Sequence, residues 1–225
     1  MTDFIVQKLL SALQPGQRLM LGGSNVPVHT CQGQFDGGCT IHAAAAALAL
    51  LGCLSDPGRL SSRRRGPEAE FWRRASPFYL SGMTLSELAN LIWELNWGLR
   101  PTVFEGAHHK VLDFCESKLS RGGLVILSWR QVNRSHLHAV LAIGLEGPMR
   151  ARKFEPRTML LLDPSEHEPW LSTCNARLNY AGPDFGRRPR RATYITAGEP
   201  RKDVVLDGAV SIRLAAATNV LRKRA

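Results

Sequence analysis

The run from Thr40 to Leu51, TIHAAAAALALL, constrains this chain more than any other segment. Its residues are strong helix formers, and a helix that is apolar nearly all round has to be covered on every side. Gly52 stands where a helix C-terminal cap belongs. Alanines let neighbours approach closely, so the sequence predicts a central, buried helix laid against a sheet. The Asp36-Gly37-Gly38 lead-in then sets Cys39 at the N-terminus of that helix. With 225 residues, 44% of them hydrophobic, the chain can bury a core around it, which excludes a disordered protein.

Elsewhere the periodicity predicts a short amphipathic helix from Phe4 to Leu13, closed by Pro15-Gly16, and an arginine-rich loop with a short helix between Asp56 and Arg74. Thr84 with Glu87 three residues later reads as a capping box, and Leu85, Leu88, Ile92 and Leu95 recur at helical spacing behind it. A strand is expected from Leu99 to Phe104 and a helix from about His109 to Leu119. After Gly122-Gly123 come short apolar runs, Leu124 to Trp129, Ala139 to Gly144 and Met159 to Asp163, which read as buried strands. Leu145 to Arg157 is expected to be a loop. Helices first and strands after give an α+β class with a largely antiparallel sheet.

Charge divides the chain unevenly. Of the overall +10, the segment from Gly186 to Ala225 holds ten Lys/Arg against three Asp/Glu, a net +7. The boundaries expected are therefore 1–185 for the main domain and 186–225 for a basic C-terminal segment packed on or extending it. Such a segment suits weak contact with a polyanion, or simply a solvated face. No apolar run is long enough to span a membrane, and the first ten residues lack a basic n-region and a small-residue cleavage site. Five cysteines, Cys31, Cys39, Cys53, Cys115 and Cys174, are an odd number that favours free thiols in a reducing compartment. A cytoplasmic location, or export by a non-Sec route, follows from these two points.

One of the thiols is placed for chemistry. At a helix start, Cys39 feels the positive end of the helix dipole and unpaired N–H groups, both of which favour thiolate. A nucleophilic Cys needs a His as base and a third group to orient that His. His138 stands immediately before the strand Ala139 to Gly144, and Asp163 ends the strand beginning near Thr158. If those strands pair antiparallel, the start of the first lies beside the end of the second, and His138 and Asp163 become neighbours. His136 competes for the same role, but His138 abuts the apolar run. Gln34 or Gln32, with the Cys39 backbone N–H, is suited to hold an oxyanion.

At these residues the chain resembles the papain-like cysteine peptidases, in particular the bacteriocin-processing (double-glycine leader) branch. The shared features are a Gln and then Gly-Cys opening an Ala/Leu-rich helix, the Met83-Thr-Leu-Ser-Glu-Leu helix ending at a Gly, a Gly before an apolar strand, His138 followed six residues later by Gly144, and Asp163-Pro164. They run from about Val26 to Pro164. Thr40 follows the Cys where the leader peptidases generally have Gly. The resemblance implies a papain-like fold, a helical lobe carrying Cys39 facing an antiparallel sheet lobe carrying His138 and Asp163. It also implies Cys39 as nucleophile, His138 as general base, Asp163 as orienting residue and a preceding Gln as oxyanion donor.

The function expected is hydrolysis of a peptide bond in a peptide or protein substrate, through an acyl-thioester intermediate and with no cofactor. The same machinery serves glutamine deamidation or transfer to another amine. A catalytically inactive module with a basic tail is a third reading. A zinc site formed by His29, Cys31, Cys39 and His42 has the right ligand types, but the spacing matches no finger pattern.

Overall fold

In the computed structural model, residues 4–33, 36–61, 63, 65–182 and 190–215 are described. In chain order they form β1 (Phe4–Leu9), β2 (Leu13–Gln14), β3 (Met20–Leu21), α1 (Cys39–Leu50), α2 (Pro67–Ala75), α3 (Leu85–Glu94), β4 (Leu99–Glu105) and α4 (His108–Leu119). There follow β5 (Leu124–Gln131), β6 (His138–Arg150), β7 (Lys153–Phe154), β8 (Thr158–Leu162), β9 (Ala176–Asn179), β10 (Ala192–Thr196) and β11 (Lys202–Leu214).

Alternation along β6 divides the interior in two. Ala139, Leu141 and Ile143 face one apolar cluster, shared with α1 and α3, whereas Val140 and Ala142 face a second, shared with α4. A strand buried on both faces reads as a continuous apolar run, which is why this segment shows no polar alternation. The second cluster is the inside of a barrel. Strands β6, β5, β11, β10, β9 and β8 pair in that order, every pairing antiparallel, and β8 closes the ring back onto β6. Trp129, Met159, Leu161, Leu178, Tyr194 and Leu206 fill it.

This closed six-stranded barrel corrects the expected fold class. The chain is not a papain-like helical lobe beside a sheet lobe; among the described residues it is mostly sheet, with four short α-helices. The cause is long-range pairing. Strands β10 and β11, from the basic C-terminal stretch, are staves of the barrel, and β11 lies against β5 over Val204 to Ile212. Two local expectations also change. Phe4 to Leu9 is an edge strand on β6 rather than a helix. Much of the expected loop from Leu145 to Arg157 is strand, since β6 continues to Arg150 and turns through Ala151 and Arg152 into β7.

The buried helix forms as its composition demands. From Ala43 to Ala49, α1 is buried throughout and packs on β6 and β5. Gly52 takes φ +73°, and the N–H groups of Gly52 and Cys53 bond the carbonyls of Ala49 and Leu48, closing the helix in a Schellman motif. At the start of α3 the Glu87 N–H donates to Thr84 Oγ1 at 3.2 Å and the Thr84 N–H to Glu87 Oε2 at 2.8 Å, so the capping box is present. A β-bulge lies in β6 between Ala142 and Gly144. A Cβ on Gly144 would sit 2.5 Å from the Lys8 carbonyl oxygen, so only glycine lets β1 pass there.

Candidate active site

His138 opens β6, opposite Trp129 of β5, and its even position puts its ring on the barrel-interior face. Asp163 follows the last residue of β8. Leu162 pairs with Leu141, which extends to Asp163 opposite Val140, so Asp163 and His138 are diagonal neighbours on one face rather than a direct pair. His138 Nε2 donates to Asp163 Oδ1 at 2.7 Å. Cys39 is the first residue of α1, next to Gly38 at the N-cap, where the His138 imidazole and the Ala139 N–H both act on its thiol. Three residues separated by up to 124 positions in sequence thus meet at one end of the barrel.

The electrostatics follow from this contact. Burial pushes the Cys39 thiol up, but its bond to His138, the imidazolium charge and the Ala139 N–H outweigh burial and hold it below the ordinary thiol value. Burial pushes His138 down, but hydrogen bonds to Asp163 and Cys39, with their charges, raise it to about 9. Asp163, 2% exposed, is pushed up by burial and pulled lower still by His138, Tyr194 and the Ser165 N–H. All three shifts favour a thiolate–imidazolium pair beside a carboxylate.

The surroundings fix these groups in place. Asn175 brackets the Asp163 backbone: its Oδ1 accepts the Asp163 N–H at 2.7 Å and its Nδ2 donates to the Asp163 carbonyl at 2.8 Å. Tyr194 of β10 donates its hydroxyl to Asp163 Oδ2. In front of the nucleophile, Asp36 accepts the Gly38 N–H at 3.0 Å on Oδ1, and the Gly33 N–H at 2.5 Å and the Tyr79 hydroxyl at 2.8 Å on Oδ2. Burial pushes Asp36 up, and these three donors bring it below the usual carboxylate value. None of Trp129, Asn175, Tyr194, Asp36 and Tyr79 was singled out by sequence reasoning. The alternation of Ala192 and Tyr194 is the one sequence signal that points to the barrel interior.

Of the two glutamines, Gln32 is brought to the site. Its backbone N–H donates to the Pro164 carbonyl at 2.8 Å, and its side chain lines a cavity of about 280 Å³ together with Trp129, His138, Asp163 and Tyr194. Its Oε1 is buried without a hydrogen-bond partner among the described residues. Gln34 lies outside the described residues. His136 is exposed in the turn ahead of β6.

The zinc reading loses its ligands to other partners. His29 Nε2 lies 3.0 Å from the Asp163 carbonyl, His42 Nδ1 lies 2.9 Å from Thr30 Oγ1, and Cys39 faces His138. His29, Cys31 and His42 line a separate cavity of about 480 Å³ bounded by Trp72 and Tyr79. Among the described residues, no group of three or more His, Cys, Asp or Glu is arranged to hold a metal. All five cysteines are free. Burial drives Cys115 far above an ordinary thiol and raises Cys53, so neither is suited to act as a thiolate.

No helix among the described residues is long and apolar enough to cross a membrane. Comparison with protein-family models and with curated proteins finds no match to this chain.

Proposed function

We propose that the chain is a cysteine peptidase in which Cys39, His138 and Asp163 act as nucleophile, general acid–base and orienting carboxylate. The observation that carries the reading is the imidazole held 2.7 Å from a buried carboxylate and, on its other side, bearing on the thiol that opens α1. The order Gln, Cys, His, Asp that resembles the bacteriocin-processing peptidases supports it from the sequence side. The fold plays no part in this support.

In the reaction the Cys39 thiolate attacks the substrate carbonyl carbon, forming a C–S bond and moving the carbonyl electrons onto oxygen. The Cys39 N–H, a first-turn donor with no intrahelical partner, and the Gln32 amide are the groups at hand for that oxyanion. As the C–N bond breaks, the imidazolium gives its proton to the leaving amine. Water then adds to the thioester as His138 takes its proton, the C–S bond breaks, and the acid leaves with thiolate and imidazolium restored. Asp163 keeps the ring turned toward the thiol throughout, as an orienting carboxylate does in other triads.

The substrate in this reading is a peptide or protein. The free cysteines support a reducing compartment such as the cytoplasm, and the basic C-terminal segment supports weak contact with a polyanion. A pool of internally quenched peptides of mixed sequence tests the activity. Wild type is expected to cleave members of the pool while Cys39→Ala cleaves none. Equal cleavage by Cys39→Ala, or no cleavage together with a Cys39 inert to iodoacetamide, overturns the proposal.

A further inference from the structure

Both oxygens of Asp163 are occupied. Oδ1 takes His138 Nε2 at 2.7 Å and the Ser165 N–H at 2.8 Å, while Oδ2 takes the hydroxyl of Tyr194. Tyr194 is 3% exposed and faces the barrel interior from β10, where it pairs with Leu178 and Lys202 across the neighbouring strands. Its ring also lies 4.4 Å from that of Trp129, which stands edge-on to the His138 imidazole at 5.3 Å. Tyr194 therefore reaches the imidazole by two routes, one through the carboxylate and one through the indole.

We infer that Tyr194 is a positioning residue of this site, holding the Asp163 carboxylate in the one rotation that aims Oδ1 at His138 and sharing its charge. The inference rests on the Cys39–His138–Asp163 reading and adds to it a member from the C-terminal half of the barrel, beyond the residues that carry the sequence resemblance. A carboxylate turns about its terminal torsion with little preference of its own. His138 and the Ser165 N–H hold only Oδ1, whereas a hydroxyl fixed by a β-strand on the far side holds Oδ2 as well and so sets the plane of the carboxylate. The cavity that Tyr194 and His138 share is also lined by Arg134, His136, Glu166, Glu199 and Lys202, none of which Tyr194→Phe alters. The charges of Asp163 and Glu166 add to burial in keeping the phenol protonated and therefore a donor.

The chemical consequence has a definite sign. The Tyr194 hydroxyl shares the negative charge of Asp163. Without it, more of that charge acts on the imidazolium, which then holds its proton to higher pH. Tyr194→Phe keeps the ring and its packing against Trp129 and removes only the hydroxyl. The expected result, read by ¹⁵N NMR of the imidazole, is a rise of the His138 titration midpoint by about half a pH unit or more, with a loss of kcat and little change in KM. In an Asp163→Asn background the same substitution should move neither quantity, because the group it acts through is gone. A merely structural role would give equal losses in both backgrounds.

A midpoint unmoved by Tyr194→Phe overturns the inference. A wild-type midpoint near 6.5 instead of about 9 would overturn the triad reading itself, so the two failures are distinguishable. Should Tyr194→Phe not fold, the ¹³Cζ resonance of Tyr194 decides. It should shift when Asp163 becomes Asn, and an unchanged resonance refutes the contact.

Discussion

Removing the His138 imidazole isolates what activates Cys39. In the native site the thiol is disfavoured as an anion by burial and favoured by His138, the Ala139 N–H and Thr40. His138→Ala leaves the burial and the two weaker donors and deletes the cation. A hydrogen-bonded pair of unit charges with ~4 Å separation at an effective dielectric of ~20 is worth about 4 kcal/mol, and so about a thousandfold in thiolate population near neutral pH. A less acidic thiol makes a more nucleophilic thiolate, and with a Brønsted slope near 0.45 this returns a factor of about 20. The net expectation is iodoacetamide labelling of Cys39 about 50-fold slower at pH 6. Rates are read by mass spectrometry on the peptide containing Gly38-Cys39-Thr40, with Cys31 as internal reference, since burial and the nearby Glu168 charge raise that exposed thiol. His136→Ala, altered in the exposed turn, should label at the wild-type rate. Labelling of His138→Ala within twofold of wild type, or slow labelling of His136→Ala instead, would refute the ion pair.

Asp163→Asn should keep Cys39 labelling largely intact but cut turnover by about 10³–10⁴, because a misoriented imidazole cannot shuttle protons; equal turnover removes Asp163 from the site. The pH profile of kcat/KM should fall on the alkaline side as pH rises through about 9, where His138 loses the proton it must give to the leaving amine. It should fall on the acid side as the depressed Cys39 thiol is protonated, and a rate still rising above pH 10 contradicts this. Gly144→Ala, with its Cβ 2.5 Å from the Lys8 carbonyl, should lower stability by about 1–3 kcal/mol in urea unfolding and speed hydrogen exchange in β1; an unchanged unfolding midpoint would show that β1 yields freely. Reversing the charges of Arg187, Arg188, Arg190 and Arg191 should weaken oligonucleotide binding and flatten its salt dependence, and equal binding would leave the solvated-face reading standing.

The parts of the site that were legible in the sequence are those fixed by short-range patterns. An all-apolar alanine run allows no exposed face, so α1 was readable, and with it the placement of Cys39 at a helix start. His138 and Asp163 were readable because an antiparallel pairing of two apolar runs brings the start of one beside the end of the other. What failed depended on pairing across long separations. Phe4 to Leu9 carries apolar residues at helical spacing, yet its burial is slight and backbone pairing with β6 decides its form. Leu145 to Arg150 holds Gly147 and Pro148, which are unfavourable inside strands, yet both pair with β1 as β6 continues. Barrel closure rests on β10 and β11, which lie in a segment whose basic residues drew attention to charge rather than to the alternation of Ala192, Tyr194, Val204 and Leu206 into the interior. Tyr194 was missed for the same reason.

The most direct measurement is the intact mass of the protein, quenched in acid while turning over a peptide it cleaves. The account predicts an adduct with the mass of the acyl half of the substrate, joined to Cys39 as a thioester, released by hydroxylamine and absent from Cys39→Ala. Turnover with no such adduct in wild type, even in Asp163→Asn where the intermediate should break down slowly, would contradict a Cys39 nucleophile.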